Sequence, residues 1–250
     1  MHYQPLERPL LHRGGNGLSA SGAPNPRAAL AQRSPLFSEI SLADCTAIVG
    51  SAHERQYSRR QTIFLEGDAV RQVLVLISGC VKITQFGQSG CEVILRLNGP
   101  GDVVGAFGPS AQGTHCSTAQ SLDTSAALVW DPTQFEMLSE RYPALRRNAV
   151  RILQERLRDM DQRFREISTE KVAPRLSSQL VRLLKQIGKA VNGCTEITLS
   201  REELAQLTGT TLFTVSRLLC QWEVLGIVTA RRESVSVTNL PALVRLSEGE

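Results

Sequence analysis

The chain has 250 residues, 42% hydrophobic and 21% charged, with a formal net charge of +4. This is ordinary globular composition, long enough for one large domain or two smaller ones with cores of their own. No apolar run reaches the roughly 20 residues that span a bilayer, and no signal-peptide core opens the chain, so a cytoplasmic protein with no membrane partner is expected.

Residues 1–33 read as a disordered tail. "HRGGNGLSASGAPNPRAALAQR" is rich in Gly, Pro, Ser and Ala and has no apolar period to offset the entropy of ordering it. At "SPLFSEISLADCTAIVG" a helix is expected, capped by Ser34 or Ser38, with Phe37, Ile40, Leu42 and Ile48 on its apolar side.

From about residue 57 to 131 the pattern changes to short β-rich runs: "QTIFLEGD", "VLVLISG", "CVKITQFG", "EVILRLNGPGD", "DVVGAFG" and "SAALVWD". Gly-Asp, Ser-Gly and Gly-Pro turns punctuate them, which suggests a compact antiparallel barrel or jelly roll. Gly67, Gly79, Gly101 and Gly105 fall where barrel corners would need positive φ or close backbone approach.

A long helix follows. Val150, Leu153, Leu157, Met160, Phe164 and Ile167 recur at alternating three- and four-residue intervals, flanked by charges that include Arg156 and Arg163. A narrow apolar stripe held for about three heptads is what a helix pairing with its own copy needs, so a homodimer is expected. The alternative is that the stripe packs on the barrel.

After Ser168 and Thr169 a further helix runs to Gly188. "TEITLSREELAQLTGTTLFTVSRLLCQWEVLG" then gives a short strand and two helices. Ser200 and Glu203 form a capping box, Gly209 makes the turn, and Thr210 or Thr211 caps the second helix. Val215, Leu218, Leu219 and Trp222 form its buried side, while Thr211, Leu212, Phe213, Thr214, Ser216 and Arg217 are left for another surface. "IVTARRESVSVT" closes the unit as two short strands around a basic Arg231-Arg232 turn.

A capped helix, a Gly turn and a second amphipathic helix make a helix-turn-helix, whose second helix can enter a DNA major groove. Double-stranded DNA is therefore the expected partner, contacted by Thr211, Leu212, Phe213, Thr214, Ser216, Arg217, Arg231 and Arg232. Phe213 has two readings: an aromatic reading a thymine methyl, or a ring packed on the neighbouring helix or wing.

Together, "IFLEGD", "VLISGCVKI", "GPGDVVGAFG", the heptad helix and "LSREELAQLTGTTLFTVSRLL" resemble the cyclic-AMP receptor protein and fumarate-nitrate-reductase regulator (CRP/FNR) family of bacterial transcription factors, over about residues 34–246. The resemblance implies an α+β chain: a β jelly-roll sensor at 34–140, a dimerisation helix at 141–168, and a winged helix-turn-helix at 169–250. It also implies a homodimer on a palindromic promoter site, with RNA polymerase as a further partner for an activator. Members that bind cyclic nucleotides carry a Glu after the glycine and, further on, an Arg paired with Ser or Thr. Here those places hold Gly105-Ala106 and about His115-Cys116, followed by Ser117, so cyclic nucleotide binding is not expected. The iron–sulfur branch needs clustered N-terminal cysteines, and the first cysteine here is Cys45.

The effector region is thus Gly105, Ala106, His115, Cys116 and Ser117, with no cofactor expected. Haem held by His115 or Cys116, or a redox-active thiol, is the alternative. The six cysteines form no C-x-x-C pair, and most of them read as reduced core residues. A metal-dependent jelly-roll enzyme would need several converging histidines, but there are only four and no H-x-H, so neither a metal site nor catalytic residues are expected. A third reading, an oligomerisation module that no longer binds DNA, is disfavoured by Ser216-Arg217, which stand where family members place their DNA contacts.

Overall fold

In the computed structural model, which describes residues 27, 31–88, 90–106, 113–191 and 194–248, the run Val73-Leu74-Val75-Leu76 is buried on both faces. It opens β3 (Val73–Ser78) of a sandwich whose other strands are β1 (His53–Tyr57), β2 (Thr62–Phe64), β4 (Val81–Phe86), β5 (Glu92–Asn98), β6 (Val103–Val104), β7 (Thr118–Ser121) and β8 (Ser125–Trp130). Two antiparallel four-stranded sheets result, ordered β1-β8-β3-β6 and β2-β7-β4-β5.

Leu74 and Leu76 point between the sheets and pack with Tyr57, Val81, Ile83 and Val129. Their neighbours Val73 and Val75 point outward, and with Leu128 and Trp130 they cover α1 (Leu42–Gly50), α2 (Pro132–Arg141) and the start of α3 (Pro143–Thr169). A strand buried on both faces needs an unbroken apolar run, which explains "VLVL" where a half-exposed strand would alternate. The Trp130 indole donates to the Ile48 carbonyl at 3.1 Å, so its one polar atom is satisfied inside this layer.

The N-terminal segment differs from expectation. Ser34 caps only a 3₁₀ turn, Pro35–Phe37, and Ser41 caps α1 through the Asp44 amide. Leu42, expected on the apolar side, is exposed, because it begins α1 on the solvent face. Ala31 is buried in the helical layer, so ordered packing begins inside the segment read as tail, most of which lies outside the described residues.

α3 turns Leu145, Ala149 and Ile152 onto the barrel. The Asn148 amide anchors it by donating to the carbonyls of Leu36 and Ser38 at 2.9 and 2.7 Å. The chain continues as α4 (Val172–Ile187), β9 (Lys189–Val191), β10 (Cys194–Ile197), α5 (Arg201–Thr208), α6 (Leu212–Val224), β11 (Val228–Ala230), β12 (Val235–Val237) and α7 (Leu240–Glu248). Its sheet runs β11-β12-β10-β9, and α4 and α7 pack together behind the helix pair.

This C-terminal unit shares its core with the sandwich. Cys80, Ile94 and Leu97, from the outer face of the second sheet, lie in one apolar cluster with Leu180, Leu183 and Leu204. Burial there pushes the Cys80 thiol up to about 12, well above reactive range. Polar contacts follow the same seam: Gln206 of α5 donates to Glu92 at 3.3 Å, Arg59 pairs with Glu233 at 2.7 Å, and Lys189 pairs with Asp123 at 3.2 Å.

The cysteines correct the reading of them as core residues. Only Cys45 and Cys80 are buried, Cys194 is intermediate, and Cys91, Cys116 and Cys220 are exposed. An apolar neighbourhood in sequence does not fix which face a side chain takes.

Candidate nucleic-acid interface

The helix pair α5–α6 is built from local signals. The Ser200 hydroxyl accepts from the Glu203 amide at 3.2 Å, and the Glu203 carboxylate accepts from the Ser200 amide at 2.7 Å, satisfying two orphan donors at the start of α5. Gly209 ends α5 at φ +62°, a left-handed conformation in which a side chain is strained. Thr211 then caps α6 by accepting from the Thr214 amide at 3.2 Å.

Val215, Leu218, Leu219 and Trp222 of α6 are buried against the rest of the unit. That packing leaves Thr211, Leu212, Phe213 and Arg217 exposed at the N-terminal part of the helix, with Thr214 and Ser216 half-buried beside them. Phe213 is 77% exposed, far too open for a ring that packs on a neighbouring helix or wing. Arg231 and Arg232 are exposed in the β11–β12 turn, closed by the Arg231 amide donating to the Ser234 carbonyl at 2.8 Å. Among the described residues no carboxylate lies within ion-pair distance of Arg217, Arg231 or Arg232, so these guanidinium forks have no acidic partner to displace.

The heptad stripe is also open. Leu157 is 59% and Phe164 75% exposed, and Val150, Met160 and Ile167 are exposed as well. Leu153 alone of the six is half-buried against the barrel. Apart from Leu153, the stripe therefore does not pack on the barrel of its own chain. Two of the arginines that flank it, Arg156 and Arg163, turn toward the sandwich. Arg156 donates to the Val103 and Gly105 carbonyls, and Arg163 donates to the Leu95 carbonyl at 2.5 Å. Burial lowers the pKa of both.

In the sensor region, Gly105 has φ +83°, and a Cβ there would lie 2.8 Å from the Phe64 ring and 3.1 Å from His115. The glycine makes room for a stack of these two rings, 3.6 Å between centroids and 7° from parallel. His115 is 5% exposed, and burial holds its imidazole below the usual range. Cys116 is exposed instead, Ser117 is buried and Ala106 is half-buried, so His115 and Cys116 do not converge on one point. Residues 107–112 lie outside the described ones.

A cavity of about 260 Å³ lies beside His115, and Phe64 covers one face of the ring, while Cys116 faces away to solvent. These residues do not fit haem. Among the described residues no group of three or more His, Cys, Asp or Glu is placed to hold a metal ion, and no helix is long and apolar enough to cross a membrane.

The sequence matches the cyclic nucleotide-binding domain over residues 54–142 and the Crp-like helix-turn-helix domain over residues 174–246, together more than half of the chain. The chain belongs to the CRP/FNR family of transcription regulators. It is 26% identical over 215 residues to the CRP-like cAMP-activated global transcriptional regulator of Mycobacterium tuberculosis, covering 85% of this chain and 96% of that protein. It is 25% identical over 196 residues to the fumarate and nitrate reduction regulatory protein of Escherichia coli, covering 78% of each. The fold is shared with the c-di-GMP responsive global regulator CLP of Xanthomonas campestris, with a TM-score of 0.68 at 22% identity over 79% of this chain and 99% of that one.

The sequence also hides a polar contact that joins α3 to α4. The buried Glu166 of α3 accepts two parallel bonds from Arg182 of α4, at 2.7 and 2.9 Å, and a third from Gln162 at 2.9 Å. Burial alone would raise the Glu166 carboxyl, but the Arg182 fork and the Gln162 amide outweigh it and hold the pKa below the usual range. In sequence Glu166 is one more charge beside a heptad. Its only signal is that Arg182 lies on the next helix, sixteen residues on.

Proposed function

We propose that this regulator is a homodimer that binds a palindromic DNA site through α6 and the β11–β12 wing, without cyclic nucleotide, and contacts RNA polymerase where it activates. The observation that carries the reading is the split of α6: one face buried by Val215, Leu218, Leu219 and Trp222, the other presenting Phe213 and Arg217 to solvent. The exposed stripe from Val150 to Ile167 supports the dimer, because open leucine, methionine and phenylalanine at heptad spacing need a partner surface. Two-fold symmetry would place two copies of α6 in successive major grooves, about 34 Å apart. Selection of bound sites from random duplex DNA tests all of this at once. Inverted half-sites one helical turn apart are expected, with affinity that falls steeply as salt rises. Recovery of random sequence, or binding insensitive to salt, would refute the proposal.

Phe213 should read a base. A phenyl ring can pack on a thymine methyl, and a carboxylate at the same place can accept from a cytosine amino group. Phe213→Glu is expected to move the preferred base from thymine toward cytosine and to leave the melting temperature nearly unchanged, given the ring's exposure. An unchanged selected site with a large loss of stability would return Phe213 to the core.

The sensor should not bind cyclic AMP or cyclic GMP. Ala106 offers no carboxylate to a ribose, and by the family resemblance the place of the phosphate-binding arginine falls at about His115-Cys116, where the imidazole is stacked on Phe64. Calorimetry of the full chain is expected to show no heat of binding for either nucleotide. A micromolar affinity would overturn this part of the reading.

A further inference from the structure

The last residue of the α3 stripe differs from the others in what it touches. Val150, Leu157, Met160 and Phe164 are open to solvent, and Leu153 leans on the barrel. Ile167 is 51% exposed, yet its side chain also lies against the helix-turn-helix. A Cβ built at Gly209 would lie 3.6 Å from Ile167 Cδ1 and 3.9 Å from Cγ1, ordinary van der Waals distances. Ile167 also walls a narrow crevice together with Leu207 and Thr208, the last residues of α5.

Both sides of this contact are held in place. Buried Arg175 of α4 donates to the carbonyls of Ile167 and Glu170 at 3.2 and 3.1 Å, which fixes the end of α3. Isoleucine is β-branched, and inside a helix such a side chain keeps one strongly preferred χ1. It does not swing aside at little cost. On the facing side, Leu204 and Leu207 anchor α5 in the apolar core, and the Thr210 amide donates to the Ala205 carbonyl at 3.1 Å. Gly209 is followed at once by Thr210 and by Thr211, the cap of α6. A displacement of the turn therefore moves the start of the reading helix.

We propose that Ile167 is a positioning residue that sets the distance between the two α6 helices, and with it the half-site spacing that the dimer accepts. This role rests on the homodimeric DNA-binding reading. In a two-fold pair the second copy of α3 would cover the exposed part of Ile167, while Gly209 backs the rest. The seam at the two-fold axis and the turn leading into α6 then meet on one side chain. A rigid contact of that kind, present twice by symmetry, fixes how far each α6 stands from the axis. Linked binding of two half-sites is strong only when the span between them is held at the right length. A spacer one base pair longer or shorter also rotates one half-site about the DNA axis.

The test compares Ile167→Ala with Phe164→Ala, a truncation in the same stripe about one turn earlier. Sedimentation velocity sets a concentration at which each full-length variant is dimeric, and sites are selected there from duplexes of varied spacer length. Ile167→Ala is expected to reduce the preference for one spacer over its neighbours by roughly tenfold, as loss of a fixed span predicts. Base preference within each half-site stays as in the wild type. Ile167→Val keeps Cγ1, which lies 3.9 Å from the Gly209 Cβ position, and should restore most of the spacer preference. Phe164→Ala should weaken the dimer and keep the preference. Hydrogen exchange without DNA reads the same contact: the Thr210 and Thr214 amides should exchange faster in Ile167→Ala and at the wild-type rate in Phe164→Ala. A dimeric Ile167→Ala with the wild-type spacer preference would overturn the proposal, as would equal broadening in Phe164→Ala. If the wild type selects no DNA site, faster exchange in Ile167→Ala leaves Ile167 assigned to the turn and refutes only the DNA-binding reading. Unchanged exchange would then refute the positioning role as well. A monomeric wild type would refute the dimer and this role together.

Discussion

Glutamate in place of Leu157 is expected to turn the protein into a monomer and to abolish tight operator binding. Leu157 sits mid-stripe on α3, 59% exposed in the single chain, with Val150, Met160 and Phe164 open on the same side. In a two-fold pair it would face its own copy, and two carboxylates buried there would lose hydration and repel. The fold of the chain should survive, because α3 meets its barrel through Leu145, Ala149 and Ile152 on another face. A monomer engages one half-site at a time, so apparent affinity should fall by roughly 10²–10⁴-fold, the usual gain from linking two binding events. Sedimentation velocity and fluorescence anisotropy on one sample measure both effects. An unchanged dimer would show that the stripe serves some other contact.

Arg217→Ala is the second large effect, and it acts on a different step. The guanidinium is exposed, on the same helix as buried Val215 and Leu218, and without an acidic partner among the described residues. It can donate two parallel bonds to O6 and N7 of a guanine, the commonest specific contact in the major groove. Its loss should cost about 1–3 kcal/mol at that base, with specificity relaxed there and preserved elsewhere in the half-site. A uniform loss across all sequences, with a shallower salt slope, would mean that Arg217 holds a phosphate instead. Thermal stability should be unaffected in either case.

The two faces of α6, the α3 stripe and the capping box could be read directly from sequence, because each repeats a fixed spacing or pairs residues three apart. Other elements gave weaker signals for identifiable reasons. β1, "HERQY", buries only Tyr57 and exposes its other four residues, so no alternation marks it as a strand. β7, "TAQS", is small and polar, and gains its place through pairing with β2 and β4. α7 carried a usable signal: Asn239 caps it by accepting from the Ala242 amide at 3.0 Å, just before Pro241. α2 did too, in Asp131-Pro132. The Glu166–Arg182 pair gave almost no signal, since sixteen residues separate the two and only the fold brings them together.

The apolar cluster that includes Cys80, Ile94 and Leu97 with Leu180, Leu183 and Leu204 bears on modularity. A DNA-reading unit whose core is completed by another domain cannot be cut out or exchanged freely. Expressed alone, residues 169–250 would present to water the leucines that the second sheet now covers. Joined to a relative's sensor, they would need that sensor to offer matching side chains at the positions of Ile94 and Leu97. Evolutionary shuffling of sensors among such regulators is then constrained at this seam as much as at the effector site. A designer grafting a new sensor onto this helix-turn-helix should carry β4 and β5 with it.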